Sequence, residues 1–166
     1  MESVVKYGQE IGPNLIKIAK KLLQNENLLM LLDNTDLDPL NKDQHPVPPA
    51  PAEIFNKLIR VVPLITPEEQ NTKSKIILLF TGGNVGGDNY DNENLSLDIY
   101  VYCPFEEWRI TGNTLRPFAI MSEIRKSLQG KRINGLGEIR YNGFTSALMT
   151  DQMGSYEMSF TINAFS

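Results

Sequence analysis

LSLDIYVYC, residues 95–103, decides the reading of this chain. Leu95, Leu97, Ile99, Val101 and Cys103 fall on one side of an extended strand, with Ser96, Asp98, Tyr100 and Tyr102 on the other. The first face is predicted to be core. The second is semi-polar and aromatic, which suits partial coverage or a subunit contact. Downstream, Pro117, Ile120, Met121, Ile124 and Leu128 recur at helical spacing, so a helix is predicted over Pro117 to Gln129, with Gly130 as its C′ residue. Gly135 to Met149 reads as a glycine-punctuated strand pair. Tyr156 to Ser166 reads as a further strand, with Tyr156, Met158, Phe160, Ile162 and Ala164 on one face.

Upstream, Ile11, Leu15, Ile18 and Leu22 form one stripe of an amphipathic helix over Ile11 to Leu23, with Pro13 suited to its first turn. Leu28 to Leu32 adds one or two helical turns, and Asn25 and Asn27 mark a break or cap before it. Pro39, Pro46, Pro48, Pro49 and Pro51 crowd the segment 33–52, which opposes both helix and ladder. An arm touching a neighbouring subunit and an unattached surface loop both fit that segment. Ile59 to Ile65 reads as an edge or bulged strand because of Pro63. Lys75 to Phe80 is continuously apolar, as expected for a strand buried on both faces. Thr81 to Asn94 reads as a second long polar loop. The expectation is one α+β domain over 1–166: a mixed, mostly antiparallel sheet flanked by at least two helices, with long assembly loops.

Composition narrows the function classes. The chain has 166 residues, 41% hydrophobic and 22% charged, which fits a domain able to bury its own core. A net charge of −4 argues against a general nucleic-acid binder, which needs a basic surface to displace counterions. The Arg125, Lys126, Lys131 and Arg132 cluster reads as a solvated helix end. The single cysteine, Cys103, excludes an internal disulfide and reads as a buried structural thiol. The lone histidine, His45, has no cysteine near it, so no zinc site is expected. The first ten residues carry Glu2, Lys6 and Glu10 and lack an apolar core, so no secretory signal is expected. No apolar run reaches the roughly 18 residues of a membrane span.

Each candidate site has a plain alternative. Thr81-Gly82-Gly83-Asn84-Val85-Gly86-Gly87 follows a strand, as phosphate-binding loops do, and its glycines would let main-chain N–H groups approach an anion. It lacks the Gly-Lys-Ser/Thr ending, so a hairpin or assembly loop is the better reading. The Asp88 to Asn94 run is rich in oxygen ligands but fits no EF-hand register. Glu68-Glu69 and Glu106-Glu107 have no histidine or nucleophile partner for acid–base work. No catalytic, cofactor-binding or metal residues are assigned, and no cofactor is expected. Trp108 beside Arg109, following what reads as an edge strand, suits an interface, and a Trp capping the core beneath a loop fits equally.

LSLDIYVYCPFEEWRI (95–110), LRPFAIMSEIRKSLQGKRINGLGEIRY (115–141) and the closing YEMSFTINAF (156–165) resemble the small neck proteins of tailed bacteriophages. The closest class is the tail terminator, or tail-completion protein, with head–tail connector subunits as near neighbours. The resemblance covers Leu95 to Ser166 and, loosely, the N-terminal helix. It implies a non-enzymatic virion protein of the tail, assembled in the host cytoplasm. Such proteins form a ring, typically a hexamer, that caps the tail tube, ends its polymerisation and meets the head connector, with DNA passing through without specific binding. The partners implied are further copies of the chain, the tail tube protein, the connector and possibly the tail sheath. The expected contact residues are Trp108 and Arg109, the arm at Pro46, Pro48 and Pro49, the loop at Gly82, Gly83 and Asn84, and Phe165. A different class stays open, a small nucleotide-binding module or enzyme using the glycine-rich segment. So does a monomeric adaptor with a disordered proline arm.

Overall fold

The computed structural model describes residues 2–62, 73–85, 92–133 and 136–165. In chain order the elements are α1 (Glu2–Leu22), α2 (Glu26–Asp33), α3 (Pro51–Ile54), β1 (Ile59–Arg60), β2 (Lys75–Val85) and β3 (Asn92–Pro104). A 3₁₀ turn (Phe105–Glu107), α4 (Arg116–Leu128), β4 (Leu136–Met149) and β5 (Met153–Phe165) complete the order. The strands form one sheet in the order β1-β2-β3-β5-β4. Only β1 pairs in parallel, with β2; the other neighbours are antiparallel. This is the α+β architecture expected, a mixed and mostly antiparallel sheet with helices.

The alternation in β3 holds. Leu95, Leu97, Ile99, Val101 and Cys103 are buried, and Asp98, Tyr100 and Tyr102 are partly exposed. Met158, Phe160 and Ile162 of β5 lie opposite Ile99, Leu97 and Leu95 and share their face. The apolar stripe of α4 is buried in the same cluster, together with Ile18 and Leu22 of α1 and the apolar run of α2. Full burial of each such side chain contributes about 1.5–3 kcal/mol against the chain entropy. Gly130 takes φ +72° just past α4, the left-handed C′ conformation that a glycine adopts without strain. Asn25 caps α2 by accepting from the Leu28 amide at 3.0 Å, while its side-chain amide donates to Ser127 Oγ at 2.9 Å and so ties α2 to α4.

Five expectations need correction. The first helix begins at Glu2 rather than Ile11, which puts Pro13 in its interior. The helix tolerates the missing N–H because Ile18, Ala19 and Leu22 downstream are fully buried. The polar loop predicted over 81–94 is largely ladder. β2 continues to Val85, which pairs with Glu93. Main-chain hydrogen bonding needs no apolar side chains, so Gly82, Gly83 and Asn84 extend the strand after a bulge between Phe80 and Gly82. Only 86–91 of that predicted loop lies outside the described residues. The strand expected over Ile59 to Ile65 is a two-residue pairing, Ile59–Arg60, and Pro63 lies outside the described residues.

The predicted strand pair over Gly135 to Met149 is instead the single strand β4. Its register shifts at three places, one of them between Tyr141 and Gly143, where Gly143 has φ +129°. Glycine there bends one strand at a bulge instead of turning the chain between two. Finally, the strand before Trp108, expected at an edge, is internal to the sheet. β5 lies between β3 and β4, and β3 itself is flanked by β2 and β5. Neither is an edge strand. Among the described strands the edges are β1 and β4.

Candidate interaction surface

The residues after β3 build a surface. Pro104 ends the strand, and the 3₁₀ turn that follows swings Trp108 back so that its indole N–H donates to the Cys103 carbonyl at 2.8 Å. The ring then lies beside Gly154, the second residue of β5, where any side chain would collide with it. Trp108 is 5.2 Å from Phe105 and 6.1 Å from Tyr156, centroid to centroid. Tyr156 is in turn 5.2 Å from Phe118 of α4 and 5.9 Å from Phe144 of β4. These five rings come from four parts of the chain, all at one end of the sheet. They are not sealed off: Phe105 is 40% exposed, Phe118 36% and Phe144 54%. Leu148 and Met149 at the end of β4 are also exposed. A contiguous aromatic surface left in water is the mark of a contact site, and aromatic anchors dominate contact energetics.

Beneath this surface lies a polar knot. Arg116, the first residue of α4, is fully buried. Its Nε donates to the Glu107 carbonyl at 2.6 Å, Nη1 to the Leu31 and Asn34 carbonyls at 2.6 and 2.7 Å, and Nη2 to the Asp36 carbonyl at 2.7 Å. Two of these acceptors, Leu31 and Asn34, lie at the C-terminal end of α2, where orphan carbonyls and the helix dipole both favour a cation. Burial pulls the guanidinium pKa down, and the nearby Glu107 most strongly opposes that. The Glu107 carboxylate accepts from the amide and hydroxyl of Ser74 at 3.2 and 2.8 Å. The knot thus holds α2, the 3₁₀ turn and the start of β2 against α4.

The same knot ties down the start of the proline-rich segment. Residues 34–36 are held by Arg116, Thr111 donates its amide to the Leu37 carbonyl at 2.7 Å, and His45 meets Asp36 at 2.6 Å. The first half of the proline-rich segment is therefore laid on the body. A guanidinium bonded to main-chain carbonyls leaves no side-chain pattern in the sequence by which to foresee it. Farther along, Pro46 and Val47 are exposed and Pro48 and Pro49 half-buried before α3 begins.

Of the residues expected to make contacts, Trp108 belongs to the aromatic surface. It also packs on the core, as the reading of it as a core-capping Trp expects. Arg109 is exposed and pairs through its backbone with Leu115. Gly82 and Gly83 are exposed on β2, well along the sheet, and Asn84 follows them in the strand. Phe165 ends β5, its backbone opposite Asn92. The structure therefore does not gather these residues into one site. Sequence reading missed Phe105 and Tyr156 as partners of Trp108, and Phe118 and Phe144 as partners of Tyr156. Phe118 lies off the apolar stripe of its helix, which was the available signal.

On the other face of the sheet, Tyr100 and Tyr102 stack at 6.3 Å beside Asp98 and Glu157. A hydrogen bond with Asp98, then burial, raises the Glu157 pKa, and burial first raises those of both tyrosines. Among the described residues no cluster of His, Cys, Asp and Glu has a metal-binding arrangement, and no helix is long and apolar enough to cross a membrane.

Cys103 is buried, and burial pushes its thiol up to about 12 from an ordinary 9, with Ser74 and Arg116 partly opposing. The folded state therefore holds a proton that the unfolded chain releases above its ordinary pKa. Between about 9 and 12 stability should fall as pH rises, by as much as about 1.4 kcal/mol per pH unit from this group. Tyr100 and Tyr102 add in the same direction. Urea midpoints measured across this range should fall less steeply for Cys103→Ala than for the parent.

The profile of the YomW family matches residues 25–162. Among curated proteins none matches the chain. The match spans α2 to β5 and most of the chain, so the protein belongs to the YomW family, a phage-associated family of SPbeta-prophage type. It is a phage-related protein.

Proposed function

We propose that this chain is a structural subunit of the phage neck: a tail-terminator ring protein, hexameric in the ring, that caps the tail tube and presents a surface to the head connector. The observation that carries this reading is the surface formed by the exposed rings of Phe105, Phe118 and Phe144 around half-buried Trp108 and Tyr156. A phage-related chain that leaves such a surface in water is built to be covered by another protein. The role asks for no catalysis and no cofactor. It places the protein in the virion tail after assembly in the host cytoplasm. The net charge of −4 suits a ring through which DNA slides without sticking. The glycine-rich segment gives the nucleotide-binding alternative little support, since Gly82 and Gly83 lie within a ladder.

On this reading the aromatic surface meets the tube or the adjoining ring. The double substitution Phe118→Ser with Phe144→Ser should weaken co-sedimentation with tail tubes at least tenfold, because central aromatic contacts contribute about 2 kcal/mol or more each. Both rings are already substantially exposed, so the thermal midpoint should move little. Undiminished binding to tubes by a folded double variant would contradict the assignment of this surface.

A further inference from the structure

The edge of the sheet formed by β4 carries no charge from Tyr141 to Thr150, which read Tyr-Asn-Gly-Phe-Thr-Ser-Ala-Leu-Met-Thr. Soluble proteins guard such edges with charge, proline or cover, because unpaired N–H and C=O groups template another strand. Here Phe144, Leu148 and Met149 are 54, 47 and 48% exposed on that edge. On the opposite side of the sheet, β1 pairs only with Ile76 and Ile77, so from Leu78 to Val85 no described strand lies beside β2 on that side. That run, Leu-Leu-Phe-Thr-Gly-Gly-Asn-Val, is also uncharged and matches the outer part of β4 in length. Charged side chains on an edge oppose its pairing with a further chain, and neither of these two runs carries one, so each edge is open to the other.

We propose that β4 of one copy adds to β2 of a second copy, continuing the sheet from subunit to subunit. Three antiparallel steps separate the two strands in the sheet order, so β2 and β4 run in opposite directions. A copy rotated about an axis along the strands therefore brings its β2 antiparallel to β4, the better-bonded arrangement. The contact joins two different surfaces, so it propagates head to tail and closes into a ring when the rotation allows. The occupant of the β4 edge is thus another copy of this chain. The joint deepens the ring reading above and can be tested without tail tubes.

The test mixes a chain carrying Ser146→Cys with one carrying Thr81→Cys, at high concentration, with a short bis-maleimide. Ser146 and Thr81 are exposed and sit near the middles of the two edges. Cys103 is buried and gives little background. The expected result is a cross-linked heterodimer in the mixture and little product from either chain alone. Adding Ala147→Lys to the first chain should cut the yield at least tenfold with an unchanged thermal midpoint, because Ala147 is exposed. Equal cross-linking of the Ser146→Cys chain to itself would overturn the proposal in favour of a twofold β4 contact. No cross-link in any mixture of folded chains would overturn it outright. Cross-linking by a chain that ignores tail tubes would leave the joint standing and remove the neck reading. Capping of tubes without cross-linking would do the reverse.

Discussion

Arg116→Met should destabilise the protein by about 3–5 kcal/mol, the range seen when one partner of a buried charged network is removed. The side chain is fully buried and satisfies four main-chain carbonyls that come from three segments: Glu107, Leu31, and Asn34 with Asp36. Each carbonyl left without a donor costs about 1–3 kcal/mol, and a methionine of similar reach recovers part of that by filling the space. For a chain of this size the loss is a fall in melting temperature on the order of 10 °C. Arg116→Lys should fall between, since an ammonium is a point donor and cannot spread over acceptors on several sides. Hydrogen exchange supplies the local readout. The Thr111 amide, which donates to the Leu37 carbonyl beside the knot, should exchange faster in both variants. A midpoint within a degree or two of the parent would show that Arg116 does not hold the knot.

Gly154→Ala should cost about 1–3 kcal/mol and displace the tryptophan, as overpacking does in a filled site. A Cβ at this position would sit 2.6 Å from Trp108 Cζ2 and 2.8 Å from the Met149 sulfur. The methionine can swing away. The indole is tethered through its N–H to the Cys103 carbonyl and wedged between Phe105 and Tyr156, so it has less freedom. Trp108 is the sole tryptophan, so its fluorescence reports the change directly. A red shift of its emission, with weaker binding to tail tubes, is the expected outcome. An unchanged spectrum and stability would mean that the aromatic surface is not packed as described.

What could be read from the residues was what periodicity encodes. The alternation of Leu95 to Cys103, the stripe of α4 and the face of β5 at Met158, Phe160 and Ile162 each follow from burying one side of an element, and each is found as expected. Strand order is another matter. β5 inserts between β3 and β4, and nothing in the pattern of a strand names its neighbours. Residues 81–94 looked like loop because glycine and asparagine disfavour strands, yet a ladder already anchored by Ile76 to Phe80 carries Gly82 to Val85 onward against Glu93 to Ser96 through the main chain alone. The partial docking of the 33–52 segment depends on Arg116, whose partners are carbonyls that every residue possesses. The aromatic surface was visible only at Trp108. Phe118, Phe144 and Tyr156 are far apart in sequence and meet only once the sheet is assembled.

Electron microscopy of the purified chain, alone and mixed with tail tubes, tests the central claim most directly. The neck reading predicts rings with a central hole, or a discrete cap at one end of each tube. A chain that stays monomeric and leaves both tube ends bare would contradict it.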